Sequence, residues 1–194
     1  MKKVLIALLA VLLLLSFTSC KKDKSEEVIA AYEEFCKAQY VSVYTYGSFD
    51  YPDSGDVDIK SLTKDDVEDY NVYNCLNHLD GTKLYSVDAA EGAVKGKVSQ
   101  DEKEVTYTGV KITYYVEGDS ATKHELTIDG TFKCVEETGD SEAMQMESSL
   151  TINGKDFAFS FTINNKGKYT AASVNGKDVN LTLLNSKMDN TWYY

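Results

Sequence analysis

Residues 144–179 read MQMESSLTINGKDFAFSFTINNKGKYTAASVNGKDV, and apolar residues alternate with polar ones along most of this stretch. Alternation with a period of two predicts β-strands that have one apolar face. Asn153-Gly154 and Asn175-Gly176 are residue pairs that two-residue type I′ hairpin turns prefer. The stretch therefore predicts successive antiparallel strands joined by short turns.

The first of these turns predicts a register. A two-residue turn at Asn153-Gly154 places Leu150 opposite Phe157, and it places Met146 opposite Phe161. Both pairs are apolar, and a slip of one residue would turn the apolar set of one strand to solvent. We therefore expect this register in the folded protein.

The second turn and the loop before it predict two more pairings. A turn at Asn175-Gly176 places Ala172 opposite Val179 and Thr170 opposite Leu181. A loop at Asn165-Lys166 would place Phe161 opposite Thr170, Phe159 opposite Ala172 and Phe157 opposite Val174. The apolar sets coincide again, so four successive strands are expected to share one apolar face.

Asp129-Gly130 also has the composition of a turn, but a hairpin there would pair Leu126 with Lys133. An unbroken strand instead keeps Leu126, Ile128, Phe132 and Cys134 on one face. We therefore interpret Gly130 as a kink or bulge inside a long strand. A loop near residues 138–140 then places Phe132 opposite Met146 and Ile128 opposite Leu150.

The remaining sequence predicts two more strands and two helices. Residues 105–117 alternate like a strand, and residues 94–98 are a shorter candidate. Ser25 precedes a helical repeat of apolar residues, and Thr63 with Asp66 begins a second helix that runs to Asp80. Residues 41–51 have no clear preference, and residues 52–58 are expected to form a loop.

These elements predict an α+β, mainly β fold. N-terminal helices would pack on a strongly curved antiparallel meander of about seven strands, which stays open or closes in part toward a barrel. The strand order and number resemble the lipocalin-like β-meanders of some bacterial lipoproteins. The Gly-x-Trp motif of lipocalins is absent, since the only tryptophan is Trp192.

The chain begins MKKVLIALLAVLLLLSFTSC, with two lysines before an apolar run from Val4 to Leu15. This run is shorter than the about 20 residues that span a bilayer, so it predicts an export signal. Phe17-Thr18-Ser19-Cys20 resembles the lipobox of bacterial lipoproteins. The resemblance implies lipidation of Cys20 and export to a bacterial membrane, which would be the outer membrane in a diderm organism. An ordinary cleaved signal with an incidental cysteine is the alternative.

Three regions follow from this interpretation. Residues 1–19 would be the lipoprotein signal peptide, and residues 20–27 would be the lipidated cysteine with a solvated tether. Residues 28–194 would form a single domain of helices and β-meander. The membrane, reached through the lipid anchor, and an unknown protein or envelope component would be its partners.

Charge and cysteine content restrict the partners further. The net charge is −11, and all 20 basic residues are lysine. An acidic surface repels phosphate backbones, so we expect no nucleic-acid binding. Cys36, Cys75 and Cys134 are an odd number of thiols beyond Cys20, and their spacing leaves any disulfide pairing open.

No catalytic or cofactor motif stands out, and we predict a protein that is not an enzyme and has no cofactor. Cys75 and His78 could form a catalytic pair on a helix, but a core cysteine is the favoured interpretation. Four carboxylates lie close together in the sequence and are a weak calcium candidate beside the interpretation as a solvated turn. They belong to Asp50, Asp53, Asp56 and Asp58.

Two features of the predicted core bear on binding. Small residues near one phenylalanine could leave a ligand recess, lined by Gly130, Ser148, Phe159 and Ala172. The 14 tyrosines are expected mainly to cover the apolar face of the sheet. The sequence therefore favours a non-enzymatic binding or interaction domain, with a carrier of a small apolar ligand as the alternative and an enzyme as the least favoured class.

Overall fold

The computed structural model describes residues 23–46, 55–68, 72–98, 102–137 and 143–187. Its strands form one antiparallel sheet in which each strand pairs with the next in sequence. The strands are β1 (Gly55–Ser61), β2 (Leu84–Val98), β3 (Glu102–Val116), β4 (Asp119–Glu137), β5 (Ala143–Ile152), β6 (Lys155–Asn164), β7 (Tyr169–Val174) and the two-residue β8 (Lys177–Asp178). The predicted meander is confirmed, and the sheet is open, with β1 and β8 at its two ends.

Four helices accompany the sheet in the part of the chain that the structure describes. They are α1 (Asp23–Tyr46), α2 (Lys64–Glu68), α3 (Val72–Asp80) and α4 (Leu181–Lys187). The predicted start at Thr63 is confirmed, because the Asp66 carboxylate accepts hydrogen bonds from both the amide and the hydroxyl of Thr63, at 2.9 and 2.7 Å. Helix α1 packs on α3 and on β5, β6 and β7, so it covers the part of the apolar face that these strands form, whereas α2 and α3 contact β2.

The predicted register of β5 and β6 is confirmed, with Leu150 opposite Phe157 and Met146 opposite Phe161. Between β6 and β7 the predicted pairing is wrong by two residues, since Phe161 faces Ala172 and Phe159 faces Val174. The connecting loop is longer than expected. The Asn164 amide donates to the Lys168 carbonyl at 3.0 Å, so three residues separate the closing pair.

Strands β4 and β5 show the same offset. Phe132 faces Ser148 and Ile128 faces Ile152, which is two residues from the predicted pairing. Here five residues, 138–142, separate the last paired residues Glu137 and Ala143. An offset of two keeps every side chain on its predicted face, because the side-chain period of a strand is two.

Other differences lie at the ends of the predicted elements. Residues 55–58 belong to strand β1 where a loop was expected, and β2 begins at Leu84, ten residues before the predicted strand. Its additional residues include the sequence AAEGA, which has no bulky apolar side chain to mark a strand. The predicted tether is helical from Asp23 onward.

Leu181 does not pair with Thr170 as the second turn predicted. The turn itself has the expected register, with Ser173 opposite Asp178. The chain then leaves the sheet at Asn180, whose side-chain oxygen accepts the amide of Leu183 at 2.9 Å. Asn180 therefore caps α4 and begins a helix where a strand was expected.

Gly130 is the predicted kink inside β4. Its φ is 117°, a backbone conformation that residues other than glycine rarely adopt. A Cβ added there would overlap the carbonyl oxygen of Ser149 on β5. The neighbouring Asp129 carboxylate accepts the amide of Gly109 at 2.6 Å, where β3 carries a bulge. The interpretation of Gly130 as a kink in a continuous strand is confirmed.

The outer main-chain groups of β7 are hydrogen-bonded by side-chain and main-chain groups of the residues that follow it. The Asn185 side chain accepts the amide of Tyr169 at 2.9 Å and donates to the carbonyl of Tyr169 at 3.0 Å. The amide of Val179 donates to the carbonyl of Ala172 at 2.9 Å. The Asn185 amide thus takes the place of a further strand and protects an edge that could otherwise pair with another chain.

Replacing Gly130 with alanine should destabilise the domain more than the same change at Gly154. Both glycines have positive φ, but a Cβ at Gly154 meets no atom within 4 Å. We expect Gly154→Ala to lower the free energy of unfolding by about 1 kcal/mol and Gly130→Ala by about 3 kcal/mol or more, measured by denaturant titration. Equal losses in the two variants would contradict the close packing of β4 on β5.

Candidate functional site

The predicted recess lies beneath helix α1. The Ser148 hydroxyl donates a hydrogen bond to the hydroxyl of Ser42 on α1 at 2.9 Å, and both residues are buried. Phe159, next to Ser148 across the β5–β6 ladder, meets the ring of Phe35 at a centroid distance of 6.0 Å. Side chains of α1 therefore occupy the space above Ser148 and Phe159.

The other two recess residues lie apart from this contact in the sheet. Gly130 sits on β4 opposite Leu150, and Ala172 sits on β7 opposite Phe161. Ala172 is 8% exposed and belongs to the continuous apolar core. The small residues of the sheet thus make room for a helix.

A row of polar side chains lies on the buried side of α1. Gln39, Ser42 and Thr45 recur every three residues and are fully buried. The Gln39 amide nitrogen donates to the hydroxyl of Tyr169 at 3.2 Å, and the Thr45 hydroxyl lies 3.1 Å from the Cys75 sulfur. Because buried polar groups are costly without partners, this row restricts α1 to one position on the sheet.

This polar row is not predicted by the apolar pattern of the sequence. Ser42 and Thr45 lie in residues 41–51, which have no clear preference for helix or strand, and Gln39 lies just before them. The helical spacing of the three residues is the signal that could have connected them.

Cys75 and His78 lie on the same helix but in different surroundings. Cys75 is fully buried, and burial raises the pKa of its thiol from near 9 to about 11. His78 is exposed, and its ring stacks on Tyr44 at a centroid distance of 3.8 Å. At neutral pH Cys75 is thus a protonated thiol, whereas nucleophilic catalysis needs a thiolate.

The three cysteines that follow Cys20 are thiols and form no disulfide with one another. Cys134 is buried in β4, and Cys36 is half-buried on α1, where burial raises its pKa. None of the disulfide pairings that the sequence left open among these three residues is therefore formed.

The calcium candidate is only partly within the described residues. Asp50 and Asp53 lie outside them, whereas Asp56 and Asp58 belong to strand β1, where Asp56 pairs with Lys97 of β2. Within the described ranges, the structure brings together no group of three or more His, Cys, Asp or Glu residues that could hold a metal ion.

The outer face of the sheet is polar and carries ion pairs that link β3 to β4 and, across β3, β2 to β4. Lys111 of β3 lies 2.6 Å from Glu125 of β4, and Lys123 lies 2.7 Å from Asp88. Two shallow depressions of about 260 and 700 Å³ lie on β4 to β7 and on β5 and β6. The polar residues among those that line them include Lys133, Glu147, Ser160 and Thr162 in the first, and Thr151, Lys155, Asp156 and Asn175 in the second.

The N-terminal part of helix α1 is its most exposed part. Residues 25–30 are exposed, and the first fully buried residue is Phe35. Val28 is 37% exposed and Ile29 is 50% exposed. We call the helical residues 23–34 the stalk. The predicted lipidation site, Cys20, lies outside the described residues, three positions before α1 begins.

The comparisons with known proteins return no match. No protein-family model matches the chain, and no curated protein or solved structure is similar to it. Among the described helices, none combines the length and the hydropathy of a membrane-spanning helix.

The raised pKa of Cys75 predicts a loss of stability at alkaline pH. The unfolded thiol ionises near pH 9 and the folded one only near pH 11, so the folded state binds the extra proton between these values. The stabilising contribution of the protonated Cys75 thiol is fully present below pH 9, and it disappears as the pH rises toward 11. The free energy of unfolding should fall more steeply across this window in the unsubstituted protein than in Cys75→Ala.

Cys134→Ala is a control for this pH experiment, because it removes a different buried thiol and leaves Cys75 in place. Alkylation supplies a second measurement, because Cys75 should react at pH 8 only after denaturation. Rapid modification of Cys75 in the folded protein would contradict its burial and its protonated state.

Proposed function

We propose that this chain is an exported lipoprotein, lipidated at Cys20, whose β-domain is a non-enzymatic binding or interaction domain at the cell envelope. The observation that carries the proposal is the position of the stalk. The signal-like residues 1–19 and the lipobox-like Cys20 are followed almost at once by a helix that runs continuously into the core.

The stalk would set the distance between the domain and the bilayer. It comprises half of the 24-residue helix α1, and at 1.5 Å per residue it is about 18 Å long. Stable anchoring takes more than one acyl chain, which the resemblance to lipoproteins would supply at Cys20. The domain would then stand close to the membrane surface on a helical spacer.

Charge and surface chemistry support binding as the task of the domain. The net charge of −11 becomes −13 when Lys2 and Lys3 leave with the signal peptide. The outer face of the sheet offers carboxylates, hydroxyls and lysines, which suit a polar partner such as a protein or another envelope component. An acidic surface favours a partner with basic groups.

The alternative function, a carrier of a small apolar ligand, needs space between sheet and helices. Phe35 and Ser42 of α1 occupy the predicted recess above Phe159 and Ser148. A ligand there would have to displace a helix held by both aromatic and hydrogen-bond contacts. We therefore propose the interaction domain in preference to the carrier.

Metabolic labelling with palmitate tests the anchoring step. The unsubstituted chain should incorporate label and partition into the detergent phase, and Cys20→Ala should lose the label and accumulate as the longer precursor. Cys134→Ala is the matched control, because it removes a cysteine from the folded domain and should keep the label. Equal labelling of Cys20→Ala and the unsubstituted chain, or none in either, would overturn the proposal.

A further inference from the structure

The stalk carries an exposed apolar face. Val28 and Ile29 lie four and three positions before Tyr32 on α1, so the three side chains project from one side of the helix. Val28 and Ile29 are two of the four large hydrophobic residues that are exposed in the described part of the chain. We call these three residues the stalk face.

The end of helix α4 lies beside this face. The ammonium group of Lys187, the last residue of α4, lies 5.9 Å from the centre of the Tyr32 ring. A lysine over an aromatic face makes a favourable cation–π contact. The polypeptide that follows Lys187 therefore starts next to the stalk face.

Residues 188–194, which lie outside the described residues, have the sequence MDNTWYY. Four of these seven side chains are large and apolar or aromatic: Met188, Trp192, Tyr193 and Tyr194. Seven extended residues span up to about 23 Å. Val28 and Ile29 are only about one helical turn, or about 5 Å, from Tyr32 along α1, so the segment is long enough to reach them.

We propose that residues 188–194 pack on the stalk face, with Trp192 against Val28 and Ile29. The contact buries a tryptophan ring and two aliphatic side chains that otherwise face water. It also joins the stalk to α4, which packs on β7. The stalk is then held at a fixed angle to the sheet, so the domain has a defined orientation relative to whatever lies before Asp23. This contact does not depend on lipidation of Cys20.

Fluorescence tests the contact directly, because Trp192 is the only tryptophan in the chain. In the purified full chain, Trp192 should be shielded from acrylamide. The double substitution Val28→Gln and Ile29→Gln should raise the quenching constant about twofold or more, since it removes the apolar partners of the ring. The control Glu33→Gln and Lys37→Gln changes two other exposed positions of α1 and should leave quenching unchanged.

Hydrogen exchange provides a second measurement from the opposite side of the contact. Trp192→Ala should speed exchange of the amides of residues 26–31 several-fold, because the stalk loses its packing. Tyr85→Ala, which removes a ring that is 66% exposed on β2, should leave these amides unchanged.

Four results would overturn the proposal. Trp192 could be as accessible to acrylamide in the folded chain as in the denatured chain, or its shielding could be the same in the stalk-face variant. Shielding that disappears on dilution would assign the ring to a second copy of the chain. Quenching of Trp192 by brominated acyl chains in vesicles would assign it to the bilayer.

Discussion

Phe35 of helix α1 lies edge-on to three aromatic rings of the sheet, and the rest of the structure depends on this contact. The rings of Phe159, Phe161 and Tyr169 lie 6.0 to 6.1 Å from that of Phe35. An open sheet has an apolar face that must be covered, and α1 covers the part that β5, β6 and β7 form. The hydrogen bond between Ser42 and Ser148 then determines where along the sheet the helix lies.

The same helix has two roles along its length. From Phe35 to Tyr46 it is part of the core, and from residue 23 to 34 it is the more exposed stalk, of which Tyr32 still packs on the core. Because no break separates the two parts, the core element and the spacer form one continuous rod. The proposed packing of residues 188–194 would support this rod at the point where it leaves the sheet.

The sequence predicts which face each strand residue occupies better than it predicts which residue lies opposite. Asn153-Gly154 specifies a loop of two residues, so the β5–β6 register was correct. The loops before β5 and before β7 have no such signature, and both registers were wrong by two residues. A shift of two leaves the alternation unchanged, so the apolar pattern alone could not detect it.

At the candidate recess, too, the sequence indicated which residues share a face of the sheet but not which residues they contact. Small residues at Ser148 and Ala172 indicated a space next to the sheet, but strand patterns contain no information on what packs across that space. Ser42 and Phe35 of α1 fill it, and their partners are more than 100 positions away in sequence. Such contacts depend on how the whole chain packs, which no local spacing rule describes.

Equilibrium unfolding of Phe35→Ala, followed by circular dichroism, tests directly whether the fold depends on α1. Since the ring is fully buried among three others, the free energy of unfolding should fall by about 3–5 kcal/mol in a single transition of helix and sheet together. Tyr85→Ala, an exposed aromatic on β2, should change it by less than about 0.5 kcal/mol. An unchanged stability in Phe35→Ala, or a helix signal that is lost before the sheet unfolds, would contradict the claim that α1 is the cover on which the fold depends.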